Sequence, residues 1–222
     1  MKKYIYFLLA LFMVVGLSAC SPDDNEPTNE PPVENPNNPD EPDPDDPENP
    51  DEPTGTKTLI VYYSFTNNVN TIVNDLRTQI EADVLRVEPT EEGLDYAANN
   101  YALGSALISA IRNNPDDAAS YPAIKTTIDN LADYDRIIVA APLWWSNMAA
   151  PLQTFLFNYG DEMASKHIGL IVSSSSSGIS GVEADAKRLI SSGNFLEPSL
   201  WIRSSQTSNC HSMIANWLDE IN

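Results

Sequence analysis

One stretch of the chain, residues 58–76, restricts the fold more than any other. It reads TLIVYYSFTNNVNTIVNDL, and its apolar part, residues 59–63, shows no alternation, as expected of a strand that is covered on both faces in a parallel sheet. A polar run, residues 64–68, ends the strand, and apolar residues then recur at helical spacing over 72–76. The stretch therefore predicts a buried strand, a polar turn and a helix. Backbone N–H groups at such a helix N-terminus favour an anion, so the turn has the general features of a phosphate-binding site.

The first 20 residues have the layout of a secretory signal. Lys2 and Lys3 precede an apolar run, residues 4–17, and small residues lead to Cys20. The segment Leu17-Ser18-Ala19-Cys20 resembles the bacterial lipobox, in which the cysteine is acylated and becomes the mature N-terminus. The alternative is an ordinary signal peptide with an incidental cysteine. A membrane-spanning helix is less favoured, because the run of about 14 apolar residues falls short of the ~20 required.

Residues 21–55 have the composition of a tether. They hold 11 of the 17 prolines and 13 of the 32 acidic residues, with no Lys or Arg and a single aliphatic side chain, Val33. Such a segment cannot bury enough apolar area to offset its chain entropy, so we expect it to be disordered and extended. At ~3.1 Å per residue, a polyproline-like tether of this length would reach about 100 Å.

The remaining segment, residues 56–222, has the size of one domain. It holds 19 acidic and 10 basic residues, a net charge of −9, without a basic cluster, which argues against a nucleic-acid partner. Cys210 is its only cysteine, which excludes an internal disulfide. We expect Cys210 to pack in the last helix, since a redox thiol would need a lowered pKa.

Hydrophobic patterns in residues 56–222 alternate between strands and helices. Apolar strands followed by amphipathic helices predict a three-layer α/β/α sandwich with a five-stranded parallel sheet and right-handed crossovers. The expected strands are 59–63, 83–87, 137–142, 167–172 and 199–202, and the expected helices are 72–81, 96–111, one beginning near Pro151, 182–190 and 208–221.

Ligands of such sheets bind outside the carboxyl ends of the strands, so three loops are candidate sites: 64–71, 142–150 and 173–181. The first loop offers hydroxyls and amides but no Lys or Arg, which excludes a Walker-type nucleotide site, and it could equally be a helix cap. In the second loop, Trp144 and Trp145 must point to opposite faces. Either one indole lies at the rim of a cleft, where a flat ligand could stack on it, or both pack under helices. The third loop, SSSSSGISG, is either a ligand-binding segment or a flexible linker.

Together, these loops resemble those of the flavodoxin family, especially its short-chain bacterial branch. The first reads YSFTNNV where the family reads approximately YSxTGNT, so Asn67 stands in place of a glycine and Val69 in place of a threonine. The second reads PLWW and is followed by a helix led by Pro151, as in the family. The third resembles the Ser/Gly-rich segment before the sequence DLK.

The resemblance implies that the five strands of the sheet have the order 2-1-3-4-5 and that the domain binds FMN. The first loop would hold the phosphate, a tryptophan of the second would flank the isoalloxazine, and the third would contact the ring edge. The site residues carried over are Ser64, Thr66, Asn67, Asn68, Val69, Pro142, Leu143, Trp144, Trp145, Asn147, Ser174, Ser175, Ser176 and Gly178.

Three functions are compatible with these observations. The first is an FMN-binding electron carrier that needs no catalytic residue and passes electrons to a partner protein or a small-molecule acceptor. The second is an FMN-dependent NAD(P)H or quinone oxidoreductase with a further substrate site near Tyr96, Tyr101 or Asn147. The third is a binding module that kept the fold and lost FMN. Acylation of Cys20 would anchor the protein in the cell envelope. Asp23, Asp24 and Glu26, just after it, resemble a surface-export signal of some Gram-negative lipoproteins, and this resemblance favours the outer membrane with surface exposure.

Other activities on related folds are disfavoured. A response-regulator receiver would need a phospho-accepting aspartate where the third strand ends in Pro142-Leu143. A serine hydrolase would need a GxSxG elbow, and the sequence has none. The two histidines, His167 and His211, are expected to be structural.

Overall fold

The computed structural model of the protein describes residues 56–222, which form a parallel sheet flanked by helices. The strands are β1 Thr58–Tyr62, β2 Asp83–Arg86, β3 Arg136–Trp144, β4 Asn147–Met148, β5 His167–Ser174, β6 Asn194–Phe195 and β7 Leu200–Arg203. The helices are α1 Asn68–Leu76, α2 Ala98–Asn113, α3 Ala150–Tyr159, α4 Ser180–Leu189 and α5 His211–Ile221.

The sheet confirms the predicted fold class and has seven strands where five were expected. Its order is β2-β1-β3-β5-β6, with parallel pairing throughout this path. β6 lies beside the start of β5 and β7 beside its end, both parallel to it, so these two short strands share the position of the expected fifth strand. β4 is antiparallel and pairs with the end of β3. The order 2-1-3-4-5 therefore holds once β6 and β7 are counted as one interrupted strand.

Two hydrophobic cores lie on opposite faces of the sheet because side chains alternate along each strand. In β1 and just after it, Leu59, Val61 and Tyr63 contribute to one core, while Ile60 and Tyr62 contribute to the other. The first core includes residues of α2, α3 and α4, and the second includes residues of α1 and α5. This division is the three-layer arrangement that the sequence predicts.

Several element bounds differ from the expectation. α1 ends at Leu76 rather than near 81, and the segment 204–209 before α5 is a short 3-10 helix. β3 and β5 each extend two residues further toward the loops. β2 is largely exposed because, within the described residues, it is an edge strand that pairs with β1 alone.

No helix within residues 56–222 is long and apolar enough to cross a membrane. The predicted signal, Cys20 and the tether over 21–55 lie outside the described residues. Cys210 is buried and unpaired at the start of α5, and burial raises the pKa of its thiol. This environment agrees with the expected packing role and disfavours a reactive thiolate.

Candidate functional site

The carboxyl ends of β1, β3 and β5 bring the three predicted loops to one edge of the sheet. Tyr62 pairs with Ala140, and Pro142 pairs with Ser173, so the strands end side by side. A cavity of about 280 Å³ opens at this edge. All three loops contribute to its wall, at the place where parallel sheets bind their ligands.

The first loop turns into α1 through Asn67, whose φ of 68° is in the left-handed region. Asparagine tolerates this conformation better than most residues, so it can stand where a glycine would be expected. Among the described residues, no acceptor takes the backbone N–H groups of residues 66–69. These donors therefore remain available at the start of a helix, where the macrodipole favours an anion.

Hydrogen bonds fix the shape of this loop from the strand side. The Asn70 backbone N–H donates to the Ser64 hydroxyl (3.2 Å), and the Tyr62 hydroxyl donates to the Asn70 side-chain oxygen (2.8 Å). The Thr71 hydroxyl donates to the Asn67 carbonyl (3.1 Å). The sequence offers no cation inside the loop, but Arg86 of β2 donates from its guanidinium to the Ser64 carbonyl (3.2 Å).

Val69 does not face the cavity. It is buried against Ile60 and the other residues of the second core, so its side chain points away from the free N–H groups. A threonine there would place its hydroxyl at a core position. The backbone N–H of residue 69 remains available whatever the side chain is.

Aromatic side chains form one wall of the cavity. The Trp144 ring lies 5.7 Å from Tyr63, 6.4 Å from Phe65 and 4.9 Å from Tyr96, measured between ring centroids. Trp144, Phe65 and Tyr96 line the cavity, and Tyr63 belongs to the core behind them. Burial is the main cause that raises the phenol pKa of both Tyr63 and Tyr96, so both remain protonated and neutral at physiological pH.

Trp145 lies at the rim of the cavity. Its side chain is 42% exposed, while Trp144 is half-buried, so one indole lies at the rim as one of the two alternatives expected. The expectation that the two indoles point to opposite faces is wrong, because both line the cavity with 6.4 Å between their ring centroids. Trp145 follows the end of β3 with a φ of 45°, so the alternation of strand side chains no longer applies to it. Trp145 packs against α2 at Gly104, where a Cβ atom would lie only 2.9 Å from the indole. Tyr101 contacts the same indole edge-on, with 6.4 Å between ring centroids.

Asn147, which the resemblance placed among the site residues, lies outside the cavity wall. Its side-chain oxygen accepts a hydrogen bond from Arg112 (2.6 Å), and its side-chain nitrogen donates to Asp185 (3.0 Å). In the structure Asn147 thus anchors the β3–β4 hairpin that carries Trp145.

The third loop reaches the cavity with its first residues only. Ser173, Ser174 and Ser175 line it. The Ser174 hydroxyl accepts from the Trp201 indole nitrogen (2.8 Å) and donates to the Ser177 carbonyl (2.8 Å), which orders the turn. Ser176 and Gly178 are exposed and lie outside the cavity wall.

The cavity thus gathers eight of the fourteen residues that the resemblance indicated. These are Thr66, Asn68, Pro142, Leu143, Trp144, Trp145, Ser174 and Ser175. Ser64 and Asn67 shape the first loop through hydrogen bonds without lining the cavity. The remaining four residues of that set also lie outside the cavity wall: Val69, Asn147, Ser176 and Gly178. Six further lining residues were absent from that set: Phe65, Tyr96, Tyr101, Gly104, Ser173 and Ser204. Phe65 and Ser173 could have been found as neighbours of predicted residues at strand ends, whereas no motif marks Ser204 or Gly104.

Comparison with known proteins agrees with this geometry. A family model described as flavodoxin matches residues 57–221. A candidate flavoprotein from Bacteroides eggerthii aligns with a TM-score of 0.60 and 22% identity over 75% of this chain and 98% of that chain. A flavoprotein from Lactobacillus acidophilus, solved in complex with FMN, aligns with a TM-score of 0.55 and 20% identity over 71% of this chain and 99% of that chain. At these identities the two structures show a shared fold, and the family match covers almost all of residues 56–222. The chain therefore belongs to the flavodoxin family.

Proposed function

We propose that residues 56–222 bind FMN and act as an electron carrier. The observation that carries the proposal is the juxtaposition of two features at one sheet edge. The free backbone N–H groups of residues 66–69 lie beside a cavity of about 280 Å³ whose wall is aromatic. A phosphate monoester suits the first feature and a flat ring system suits the second. FMN joins both groups in one molecule.

The residues present fit this cofactor. The N–H groups at the start of α1, the Thr66 hydroxyl and the Asn68 amide would hold the phosphate, and the rings of Trp144 and Trp145 would flank the isoalloxazine. The serines of the third loop, residues 173–175, supply hydroxyl and backbone groups for the polar edge of the ring. Bound FMN supplies the redox chemistry, whereas the protein supplies binding, orientation and electrostatics.

The charge of the domain supports a carrier role. A net charge of −9 over residues 56–222 disfavours additional negative charge in the cavity, and it steers positively charged partners toward the domain. The partner is a redox protein with a basic surface or a small-molecule acceptor. In this proposal no side chain of the protein acts as acid, base or nucleophile.

The test is a visible absorption spectrum of the purified protein after FMN is added and the excess removed by gel filtration. Retained flavin bands near ~450 nm with quenched fluorescence are expected, because an indole stacked on the ring quenches its emission. Riboflavin, which lacks the phosphate, is the matched control and should be retained less well. A folded, colourless protein would contradict the proposal and would favour a binding module that has lost FMN.

A second cavity supports an oxidoreductase as the second candidate. It measures about 290 Å³, and Phe65 and Tyr96 line both cavities. A second substrate next to the flavin site would turn the carrier into an NAD(P)H or quinone oxidoreductase. Steady NAD(P)H oxidation by the FMN-loaded protein with a quinone acceptor would support this candidate. Absence of turnover in the presence of bound FMN would leave the carrier role.

We also propose that acylated Cys20 anchors the protein in the cell envelope, facing outward from the outer membrane. The sequence LSAC after an apolar run and the acidic residues that follow it support this location. Labelling with a radioactive fatty acid should be lost in the Cys20→Ser variant. Digestion by a protease added to intact cells would support the outward orientation, and protection from it would contradict that orientation.

A further inference from the structure

We propose that Asp185 and Arg112 are positioning residues that hold the Trp145 indole at the rim of the cavity. Neither residue lines the cavity. Their influence on a bound ring would pass through the hairpin between β3 and β4. The part of this proposal that concerns ligand affinity rests on the proposed FMN binding, whereas the part that concerns the hairpin stands without it.

The hairpin has a backbone conformation that its sequence does not favour. Trp144 pairs with Asn147, so Trp145 and Ser146 form a two-residue turn with φ of 45° and 65°. Two successive residues with positive φ form the mirror-image turn that suits hairpins, and Gly, Asn or Asp normally occupy it. A tryptophan at such a position is strained, so contacts elsewhere must maintain the turn.

Arg112 supplies the first of these contacts from α2. Its guanidinium donates to the Trp145 carbonyl (3.0 Å) and to the Asn147 side-chain oxygen (2.6 Å). Both acceptors belong to the hairpin, one in the turn and the other at the start of β4. Among the described residues, Arg112 has no carboxylate within 4.0 Å, so these bonds are its polar contacts.

Asp185 supplies the second set of contacts from α4. It is 7% exposed, and one carboxylate oxygen accepts from both the Met148 backbone N–H (2.9 Å) and the Asn147 side chain (3.0 Å). Its other oxygen faces Arg188 at 3.4 Å. Hydrogen bonds of this kind to a buried carboxylate are stronger than those between neutral groups.

The same helix also fixes the turn by close packing. A Cβ atom at Gly181 would lie 1.8 Å from the Ser146 carbonyl oxygen, so the backbone of α4 touches the turn directly. No residue of α4 lines the cavity. The geometry thus assigns α4 a role at the site, because it determines the orientation of Trp145 from outside the wall.

The experiment compares Asp185→Asn with Glu183→Gln. Asparagine keeps the shape of Asp185 but can accept hydrogen bonds on one side only, so the hairpin or Arg188 loses its acceptor. Glu183→Gln removes the same charge from the same helix at a residue that has no ion pair within 4.0 Å in the described part of the chain, so it controls for charge. Arg112→Gln is the second test variant. Arg112 is exposed, and its replacement should not prevent folding.

The first readout is ¹⁹F NMR of the ligand-free protein labelled with 5-fluorotryptophan. Four signals are expected, and the Trp145→Phe variant assigns one of them. In Asp185→Asn and in Arg112→Gln the Trp145 signal should shift or broaden, while that of Trp217, packed in the second core, stays in place. Glu183→Gln should leave both signals unchanged.

The second readout is the dissociation constant for FMN and for riboflavin, measured by flavin fluorescence. Loss of one well-oriented aromatic contact should weaken both ligands by the same factor, about three- to tenfold. An equal factor identifies an effect at the ring, because a change at the phosphate loop would affect FMN alone.

An unchanged Trp145 signal in Arg112→Gln would overturn the proposal, and so would FMN and riboflavin affinities within twofold of the wild type in both test variants. If Asp185→Asn fails to fold, Arg112→Gln decides the outcome by the same criteria. If the wild-type protein binds no flavin, the proposed function fails, while the NMR comparison still tests whether Asp185 and Arg112 hold the hairpin.

Discussion

The substitution Val69→Thr distinguishes a side-chain role from a backbone role for residue 69. The family resemblance places a threonine at this position, which suggests that Val69 costs the protein a phosphate donor. In the structure, however, Val69 is 2% exposed and packs in the second core with Ile60 and Ile72. We therefore expect the threonine to destabilise the fold without improving FMN affinity.

The expected loss of stability in Val69→Thr follows from burying a hydroxyl in place of a methyl group. At a position with this exposure, an unsatisfied hydroxyl costs about 1–3 kcal/mol by comparison with mutational data. For a domain of this size, each kcal/mol lowers the melting temperature by roughly 2–4 °C. The expected decrease is thus between about 2 and 12 °C. The FMN dissociation constant should stay within about twofold, since the backbone N–H groups are unchanged.

Val73→Thr is the matched control. Val73 lies one helical turn later in α1, is 1% exposed and packs in the same core. It is too far along the helix to reach the first loop. Both variants should lose similar stability, measured by thermal unfolding of the ligand-free protein. If Val69→Thr alone bound FMN at least fivefold more tightly than the wild type, its hydroxyl would reach the ligand, and the assignment of Val69 to the core would be refuted.

Three further predictions follow from single positions. Gly181→Ala should lower the free energy of unfolding by more than about 3 kcal/mol or prevent folding, since its Cβ would overlap the Ser146 carbonyl; denaturant unfolding measures this. Burial raises the pKa of the Tyr63 phenol in the folded protein, so this phenol ionises at lower pH in the unfolded chain. The free energy of unfolding should therefore be constant below pH ~10 and fall above it. Tyr63→Phe should reduce this fall in urea titrations between pH ~8 and ~11. Asn67→Ala should cost about 1 kcal/mol, because alanine tolerates the left-handed φ of 68° less well, and a smaller loss in thermal unfolding would contradict the strain argument.

The fold was predictable because its strands and helices carry strong local patterns. The apolar run of β1 and the helical spacing that follows it identify a strand, a turn and α1. The two strands that the sequence analysis missed, β4 and β6, contain two residues each. Segments of that length show no periodicity, and their pairing depends on neighbours that are distant in sequence.

The site was predictable to the extent that it lies at strand ends. Trp144 and Ser174 end buried strands, and Thr66 lies in the loop that follows β1. The parallel topology brings such positions together at one edge of the sheet. Tyr96 and Tyr101 were considered only as residues of a second substrate site, because they come from an irregular segment around the start of α2. Ser204 reaches the cavity from the end of β7, and nothing in its local sequence marks it.

Val69 and Asn147 are the two positions whose roles differ most from those that the resemblance implies, and tertiary contacts explain both differences. A motif identifies the residue type at a position but not the direction of its side chain. The Val69 side chain packs in the core, and the Asn147 side chain is hydrogen-bonded to Arg112 and Asp185. Both outcomes depend on α4, α5 and other elements that are far away in the sequence, which a local pattern cannot represent.

The aromatic wall of the cavity has a consequence for how this domain can diverge. Tyr96 belongs to the first core, and Phe65 and Trp144 pack against it, so this wall serves folding and recognition at once. Selection for a stable protein alone would preserve it. The exposed rim, with Trp145 and Ser175, carries no such double constraint. Descendants of this protein should therefore change ligand or partner by drift at the rim, while the inner wall persists even in lineages that no longer use it.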